Sequence, residues 1–326
     1  MNATPGMFEP GVPRYPVTRF APSPTGELHL GHVAHALWVW GVARALEGTV
    51  VLRMEDHDRG RCRWEHERSI LDDLRWLGFA PDTPDPATFS SGEPSPWRQS
   101  DRSGVYADAL EILRTVTPVY GCDCTRSTMA RNGVRDATGE ARHPDSCRVR
   151  NLPCGPGLGV RIALPDDTIT LPDLRFGTLQ QTPARQCGDL LARDARGQWT
   201  YQFAVAVDDL RQGVTLVIRG EDLVESTGRQ VLLARLMGRS TPPAFLHHPL
   251  IRDASGRKLS KRSRSATLSS LRGQGESPES VLGRAAQATG LQDRPDPLSL
   301  AEAVPLCRTW LENAQRLPEA LGEGPA

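Results

Sequence analysis

Apolar residues recur along the chain at two spacings. Val17-Thr18-Arg19-Phe20 reads as a short buried strand that breaks at Ala21-Pro22-Ser23-Pro24-Thr25-Gly26, where the prolines exclude a helix. A mostly apolar helical stretch runs from His29 to about Leu46, and the β-branched run Thr49 to Met54 reads as a central strand. Strand, loop, helix and strand make a βαβ unit, so the sheet is expected to be parallel, with a ligand at the carboxyl end of its first strand.

Further along, Ile70, Leu71, Leu74 and Leu77 fall at helical spacing within Trp64 to Leu77, as do the apolar residues of Tyr106 to Val116. From Pro118 to Gly155 the periodicity fades and Cys, Gly and Arg accumulate, as in an inserted knuckle. Short strands are expected at Val160 to Leu164, Leu190 to Arg193, Val214 to Arg219 and Leu246 to Ile251, with a helix from Glu225 to Met237. Two weak helices are expected among the Pro and Gly of the C-terminal stretch.

The fold class is therefore α/β with a Rossmann-like parallel sheet. The expected divisions are a loose segment 1–16, a first half-domain 17–117, an insert 118–155, a second half-domain 156–240, and a loop with a short helical segment, 241–326.

Composition narrows the class. With 326 residues, 38% of them apolar and 24% charged, the chain can build a core and is not a charge-dominated disordered polymer. No apolar run reaches the ~18 residues of a membrane span, and Met1 to Pro16 has no signal-peptide pattern, so a cytoplasmic location away from membranes is expected. Equal numbers of basic and acidic residues, 39 each, leave any nucleic-acid site to a local patch. Only Lys258 and Lys261 are lysines; every other basic residue is arginine. Two lysines three residues apart in so arginine-biased a chain mark positions where a compact ammonium is needed. Seven cysteines, an odd count, argue against a disulfide framework.

Three clusters carry chemistry. His29-x-Gly31-His32 sits at a strand-to-helix junction, where backbone amides and two imidazoles can meet phosphate and Gly31 lets a flat base approach; two ordinary helix-start histidines are the plain alternative. Arg257-Lys258-Leu259-Ser260-Lys261-Arg262 can close over a triphosphate or be a solvated basic turn. Cys122-x-Cys124 with His143-x-x-x-Cys147 has the donor types and number of a structural zinc site; Cys154 competes as fourth ligand, and scattered reduced thiols are the alternative.

The first two clusters resemble the HIGH and KMSKS signatures of class I aminoacyl-tRNA synthetases. Arg19 to Gly26 followed by His29-Leu30-Gly31-His32 is similar to the glutamyl branch, as are Arg53-Met54-Glu55-Asp56-His57-Asp58, Tyr201 to Asp209 and Ile218-Arg219-Gly220-Glu221-Asp222-Leu223. The resemblance spans roughly residues 17 to 265. It implies ATP-dependent activation of L-glutamate with Mg²⁺. Arg19, Arg219 and Tyr201 are expected at the side-chain carboxylate, Glu55 at the α-amine and Ser23 beside the amino acid. His29, Gly31, His32, Lys258, Ser260 and Lys261 are expected at ATP, with His29, His32, Lys258 and Lys261 as the catalytic groups. Read without the resemblance, Arg219 could pair with Glu221 or Asp222, and Glu55 could be a core-edge carboxylate.

The stretch after Arg262 is Pro- and Gly-rich and runs only to Ala326, too little for the helical anticodon-binding region of a glutamyl-tRNA synthetase. The truncated members of this branch activate glutamate without tRNA and attach it to the queuosine base in the anticodon loop of tRNA(Asp); Ser226-Thr227-Gly228-Arg229-Gln230 and the cysteine knuckle are similar to theirs. The resemblance implies tRNA(Asp) carrying queuosine as partner, one structural Zn²⁺ with His143 at the position of the relatives' tyrosine, and a monomer. A minimal enzyme charging a tRNA 3′ end and a non-catalytic paralogue are the other readings.

Overall fold

The computed structural model describes residues 13–131, 135, 142–143, 146–252 and 266–320. The expected parallel pair is present. β1 (Val17–Phe20) runs beside β2 (Thr49–Leu52), in register from Val17 with Thr49 to Phe20 with Leu52, and α1 (Leu30–Ala45) crosses between them. Along α1 nearly every residue from Val33 to Ala45 is buried, so this helix runs through the core rather than over it. Next come α2 (Trp64–Trp76) and α3 (Ser103–Arg114), which bury one stripe each, as their spacing predicts.

The next strands build a separate antiparallel sheet. β3 (Val119–Cys122) pairs with β4 (Gly159–Ile162), which pairs in turn with β7 (Leu190–Arg193). Between β3 and β4 lie the short helices α4 (Arg126–Arg131) and α5 (Ser146–Arg150). The hairpin of β5 (Ile169–Asp173) and β6 (Gly177–Gln181) has no counterpart in the expected strands. It is succeeded by the short α6 (Pro183–Gln186) and by α7 (Tyr201–Arg211). β8 (Leu216–Gly220), α8 (Thr227–Leu236) and β9 (Ala244–His248) complete the second half, with β8 parallel to β9 and β9 parallel to β5 at Asp173 and Phe245. Thr215 N donates to Val17 O at 2.9 Å, which joins β8 to β1. β9 ends earlier than expected, because Pro249 has no N–H for a ladder.

Among its described residues the C-terminal stretch holds three helices where the pattern predicted two: α9 (Leu268–Gly273), α10 (Pro278–Ala288) and α11 (Leu300–Ala320). α10 and α11 pack on α1, and Trp38 meets Trp310 edge-on at 4.9 Å. Gly41 makes that approach possible, since a Cβ there would lie 2.5 Å from Cys307 Sγ. No helix among the described residues is long and apolar enough to cross a membrane.

Candidate active site

A cavity of about 420 Å³ opens at the carboxyl ends of β1, β8 and β9, where the βαβ pattern puts a ligand. Arg19, His29, Gly31, His32, Glu55, Tyr201 and Arg219 all line it. Ser23 does not: it is exposed on the same loop, and its side chain bonds Cys62. Lys258, Ser260 and Lys261 lie outside the described residues.

The two histidines begin α1 and cap it. His29 Nδ1 accepts from Gly31 N at 3.1 Å, and His32 Nδ1 accepts from His29 N at 3.1 Å. A neutral imidazole that accepts at Nδ1 carries its proton on Nε2, so both rings hold an Nε2–H donor. Gly31 has a local reason as well: a Cβ there would lie 3.0 Å from the His29 ring.

The two arginines are held differently. Arg19 Nε donates to both oxygens of Asp209 (3.1 and 3.2 Å) and its Nη1 to Ile218 O (3.2 Å); Nη2 makes no hydrogen bond to a described residue. Arg219 does not pair with Glu221, which binds Arg175 (2.7 Å) and Arg252 (2.9 Å), nor with Asp222. Its hydrogen bonds go to neutral groups: His247 Nε2 (3.1 Å), Gln230 Oε1 (2.6 Å), Thr227 Oγ1 (2.7 Å) and Leu223 O (3.3 Å). Burial pushes its guanidinium down to about 10. A buried cation held only by dipoles favours an incoming anion.

Glu55 is fixed by Arg53 Nη2 at 3.0 Å, and Arg53 Nη1 also bonds Asp209 at 2.8 Å. Burial raises the Glu55 carboxyl against the pull of Arg53 and Arg19. Tyr201 is pushed up to about 12, by burial and by the charge of Glu55. The cavity thus offers two guanidinium groups, a neutral phenol and a carboxylate, the complement of an amino acid with an acidic side chain.

Several lining or supporting residues were not singled out from the sequence. Arg53 and Asp209 fall within the quoted motifs without a role of their own there, and Gln230, quoted for its motif, proves to hold Arg219. His35 and His248 carry no motif. His248 Nδ1 donates to Pro249 O at 2.9 Å, so its Nε2 must accept from His35 Nδ1 at 3.1 Å. Both rings are neutral, held down chiefly by burial, His248 to about 4.

The second cluster lies on the antiparallel sheet. The sulfurs of Cys122, Cys124 and Cys147 and a ring nitrogen of His143 lie within 4.8 Å of one another, and all the cysteines are free. Cys122 Sγ is 3.4 Å from His143 Nε2, and Cys124 Sγ is 3.3 Å from Cys147 Sγ. A tetrahedral ion with metal–sulfur bonds of ~2.3 Å sets ligands roughly 3.7 Å apart, so the group could hold a metal with little adjustment. Arg161 Nε donates to Cys122 Sγ at 3.3 Å and Arg150 Nη2 to Cys147 Sγ at 3.0 Å, which favours thiolates. Burial would raise the Cys122 thiol, but His143, the Cys124 amide and Arg161 lower it to about 6. Cys154 stands apart and bonds Arg114.

Comparison with known proteins agrees with this geometry. Residues 16–293 match the family model for the catalytic domain of class I tRNA synthetases (E and Q). The chain is 40% identical over 300 residues to the glutamyl-Q tRNA(Asp) synthetase of Symbiobacterium thermophilum, covering 88% of this chain and 91% of that one. It is 39% identical over 284 residues to the enzyme of the same name from Nitratidesulfovibrio vulgaris, covering 84% and 86%. Among solved structures, a glutamate tRNA ligase from Elizabethkingia meningosepticum in complex with its amino acid superposes with a TM-score of 0.70 at 28% identity, covering 90% of this chain and 65% of that one. With a family model spanning most of its length and an Arg19–Glu55–Tyr201–Arg219 cavity at the head of its parallel sheet, the chain belongs to the glutamate and glutamine branch of the class I tRNA synthetases.

Proposed function

We propose that the protein activates L-glutamate with ATP, without tRNA, and transfers it to the queuosine base in the anticodon loop of tRNA(Asp). The observation that carries the activation step is the cavity itself: two buried arginines lining it with Tyr201, Glu55 and the two histidines that cap α1. The choice of acceptor rests on relatives at 40% and 39% identity, which bear the name glutamyl-Q tRNA(Asp) synthetase and are matched over most of their length.

In this reading Arg19 Nη2 and the Arg219 guanidinium receive the side-chain carboxylate, with the Tyr201 hydroxyl donating alongside. Glu55 takes the α-ammonium, and Ser23 lies at the edge of the same loop. An α-carboxylate oxygen attacks the α-phosphorus of ATP, and the bond to the pyrophosphate oxygen breaks. The Nε2–H groups of His29 and His32 meet the phosphates, and ATP enters as its Mg²⁺ complex. Lys258, Ser260 and Lys261 belong to the loop that stabilises the departing pyrophosphate. No enzyme nucleophile is involved; the chain positions the reactants and offsets charge. The acceptor then attacks the carbonyl carbon of glutamyl-adenylate and AMP leaves.

Zn²⁺ suits the three thiols and imidazole of the second cluster, where it would tie α5 to the end of β3 and organise the insert. We place the protein in the cytoplasm, as a monomer.

ATP–pyrophosphate exchange tests the reading. Exchange with glutamate alone, but not with glutamine or aspartate, and then a label on queuosine, is the expected result. Exchange that requires added tRNA, with an ester at the 3′ end, would instead make it a charging enzyme. ATP binding with no exchange in either condition would leave a non-catalytic paralogue.

A further inference from the structure

A second concavity lies beside the catalytic cavity, and glutamate activation makes no use of it. It opens between the Pro24 loop and the first turn of α2, has a volume of about 260 Å³, and is walled by Arg59, Arg63 and Trp64. Trp64 is 66% exposed, a large apolar ring that the fold leaves uncovered. Among the described residues the Arg63 side chain donates only to the carbonyls of Cys62 (3.1 Å) and Gly60 (3.4 Å), and Arg59 donates to Ser100 Oγ (2.8 Å) with Asp56 at 3.9 Å. The acidic side chains are Asp56, held by Ser100 N (2.8 Å) and Oγ (2.7 Å), and Glu67, held by Arg98. Arg63 N donates to Pro24 O at 3.0 Å, and Asp56 adjoins the cavity-lining Glu55, so the concavity borders the reaction site.

These groups sort a ligand by its parts. Carboxylates repel phosphate but accept N–H from the amino edge of a base. An exposed tryptophan stacks a base, and arginines on the rim take the flanking phosphates. We infer that this surface docks an unpaired base of the RNA acceptor, stacked on Trp64, its amino edge toward Asp56 and Glu67 and its phosphates on Arg59 and Arg63. This rests on the proposed transfer to tRNA and names the surface that carries it.

The test uses two readouts of the whole protein: ATP–pyrophosphate exchange with glutamate alone, and binding and glutamylation of queuosine-containing tRNA(Asp). Trp64→Ala should leave exchange within two-fold of wild type and raise both the Kd and the KM for tRNA by about ten-fold or more, and Trp64→Phe should restore most of the loss. The double variant Arg59→Ser with Arg63→Ser should flatten the dependence of log Kd on log salt by about one for each phosphate no longer neutralised. Unchanged tRNA Kd and salt slope in both variants would overturn the inference. So would an equal fall of exchange and transfer in Trp64→Phe, which would mark the ring as structural. If wild type binds tRNA through Trp64 but transfers no glutamate, the docking surface stands and the proposed function fails.

Discussion

The Nε–H of Arg219 donates to Nε2 of His247 at 3.1 Å, and Nε2 is free to accept because Asp173 takes the proton on the other ring nitrogen at 2.5 Å. Burial keeps His247 below its ordinary range, although Asp173 pulls it upward. A neutral His247 therefore orients the cation proposed to meet the glutamate side chain. His247→Ala should raise the KM for glutamate in the exchange assay by about ten-fold or more, with a smaller effect on kcat. His247→Gln, whose amide oxygen can accept the same N–H, should recover much of it. The sign with pH comes from the depressed titration: the acceptor is present at neutral pH and is lost as pH falls through a value below 6.5. Glutamate KM should rise on acidification in wild type and less so in the alanine variant. Equal profiles would mean that His247 merely fills space.

His29 has two separable tasks. Its Nδ1 caps α1 through Gly31 N, and its ring lines the cavity in the tautomer that the cap imposes, with the proton on Nε2. Losing a cap costs about 1 kcal/mol, a fall of roughly 2 °C in Tm for a chain of this size. Losing a donor to a reacting phosphate costs about 100-fold in kcat. His29→Ala should show both losses. His29→Asn, whose side-chain oxygen can accept at the Nδ1 position, should regain Tm but not kcat. Recovery of both by asparagine would show that only the cap matters.

How far the sequence discloses the molecule depends on how local each feature is. β1, α1 and β2 are legible because strand and helix spacing and the proline-rich turn act within a few residues. β5 and β6 are not: their hairpin takes its place in the sheet only where β5 also meets the distant β9, and Asp173 acquires its meaning only when that pairing sets it beside His247. The cavity arginines are legible by resemblance, but their unequal setting is not. Arg19 is neutralised by Asp209, 190 residues away, whereas Arg219 is held by dipoles alone, a distinction that depends on packing. The third C-terminal helix escapes the pattern because α11 buries one face on α1, and Pro305 and Pro318 mask its period.

The Cys122–Cys124–His143–Cys147 group should bind close to one zinc per chain, measured by elemental analysis of protein purified without added metal. Three thiolates and one divalent ion leave a single negative charge, which Arg161 and Arg150 offset through their N–H contacts to sulfur. Cys147→Ser or His143→Ala should abolish stoichiometric zinc and lower the Tm by several degrees, because structural metal binding is coupled to folding. Cys154→Ser should retain the metal. Zinc loss in the Cys154 variant alone would identify a different ligand set.

Asp73 supplies the last prediction, because it is a carboxylate without a hydrogen-bond partner among the described residues. It lies on α2 with no exposed surface, neither oxygen accepts a hydrogen bond, and the nearest cation, Arg272 Nη1 on α9, is 3.9 Å away. Burial pushes it up to about 6, with Glu27 and Asp72 adding repulsion and Arg272 opposing. Between the ordinary carboxylate range and pH 6 the folded state holds a proton that the unfolded state has released. Stability from this group therefore rises as pH falls through that window, and its penalty is complete above it. Asp73→Asn should raise the Tm at pH 7.5 by about 2 °C or more, with the gain shrinking toward zero near pH 4. His35, His247 and His248 work in the opposite sense: held neutral in the folded state, they weaken it as pH drops below about 6.5. They are common to both proteins, so the difference between wild type and variant isolates Asp73. A lower Tm for the variant at pH 7.5 would show that the attraction of Arg272 outweighs the cost of burying the charge, and that α2 and α9 are held together by an ion pair.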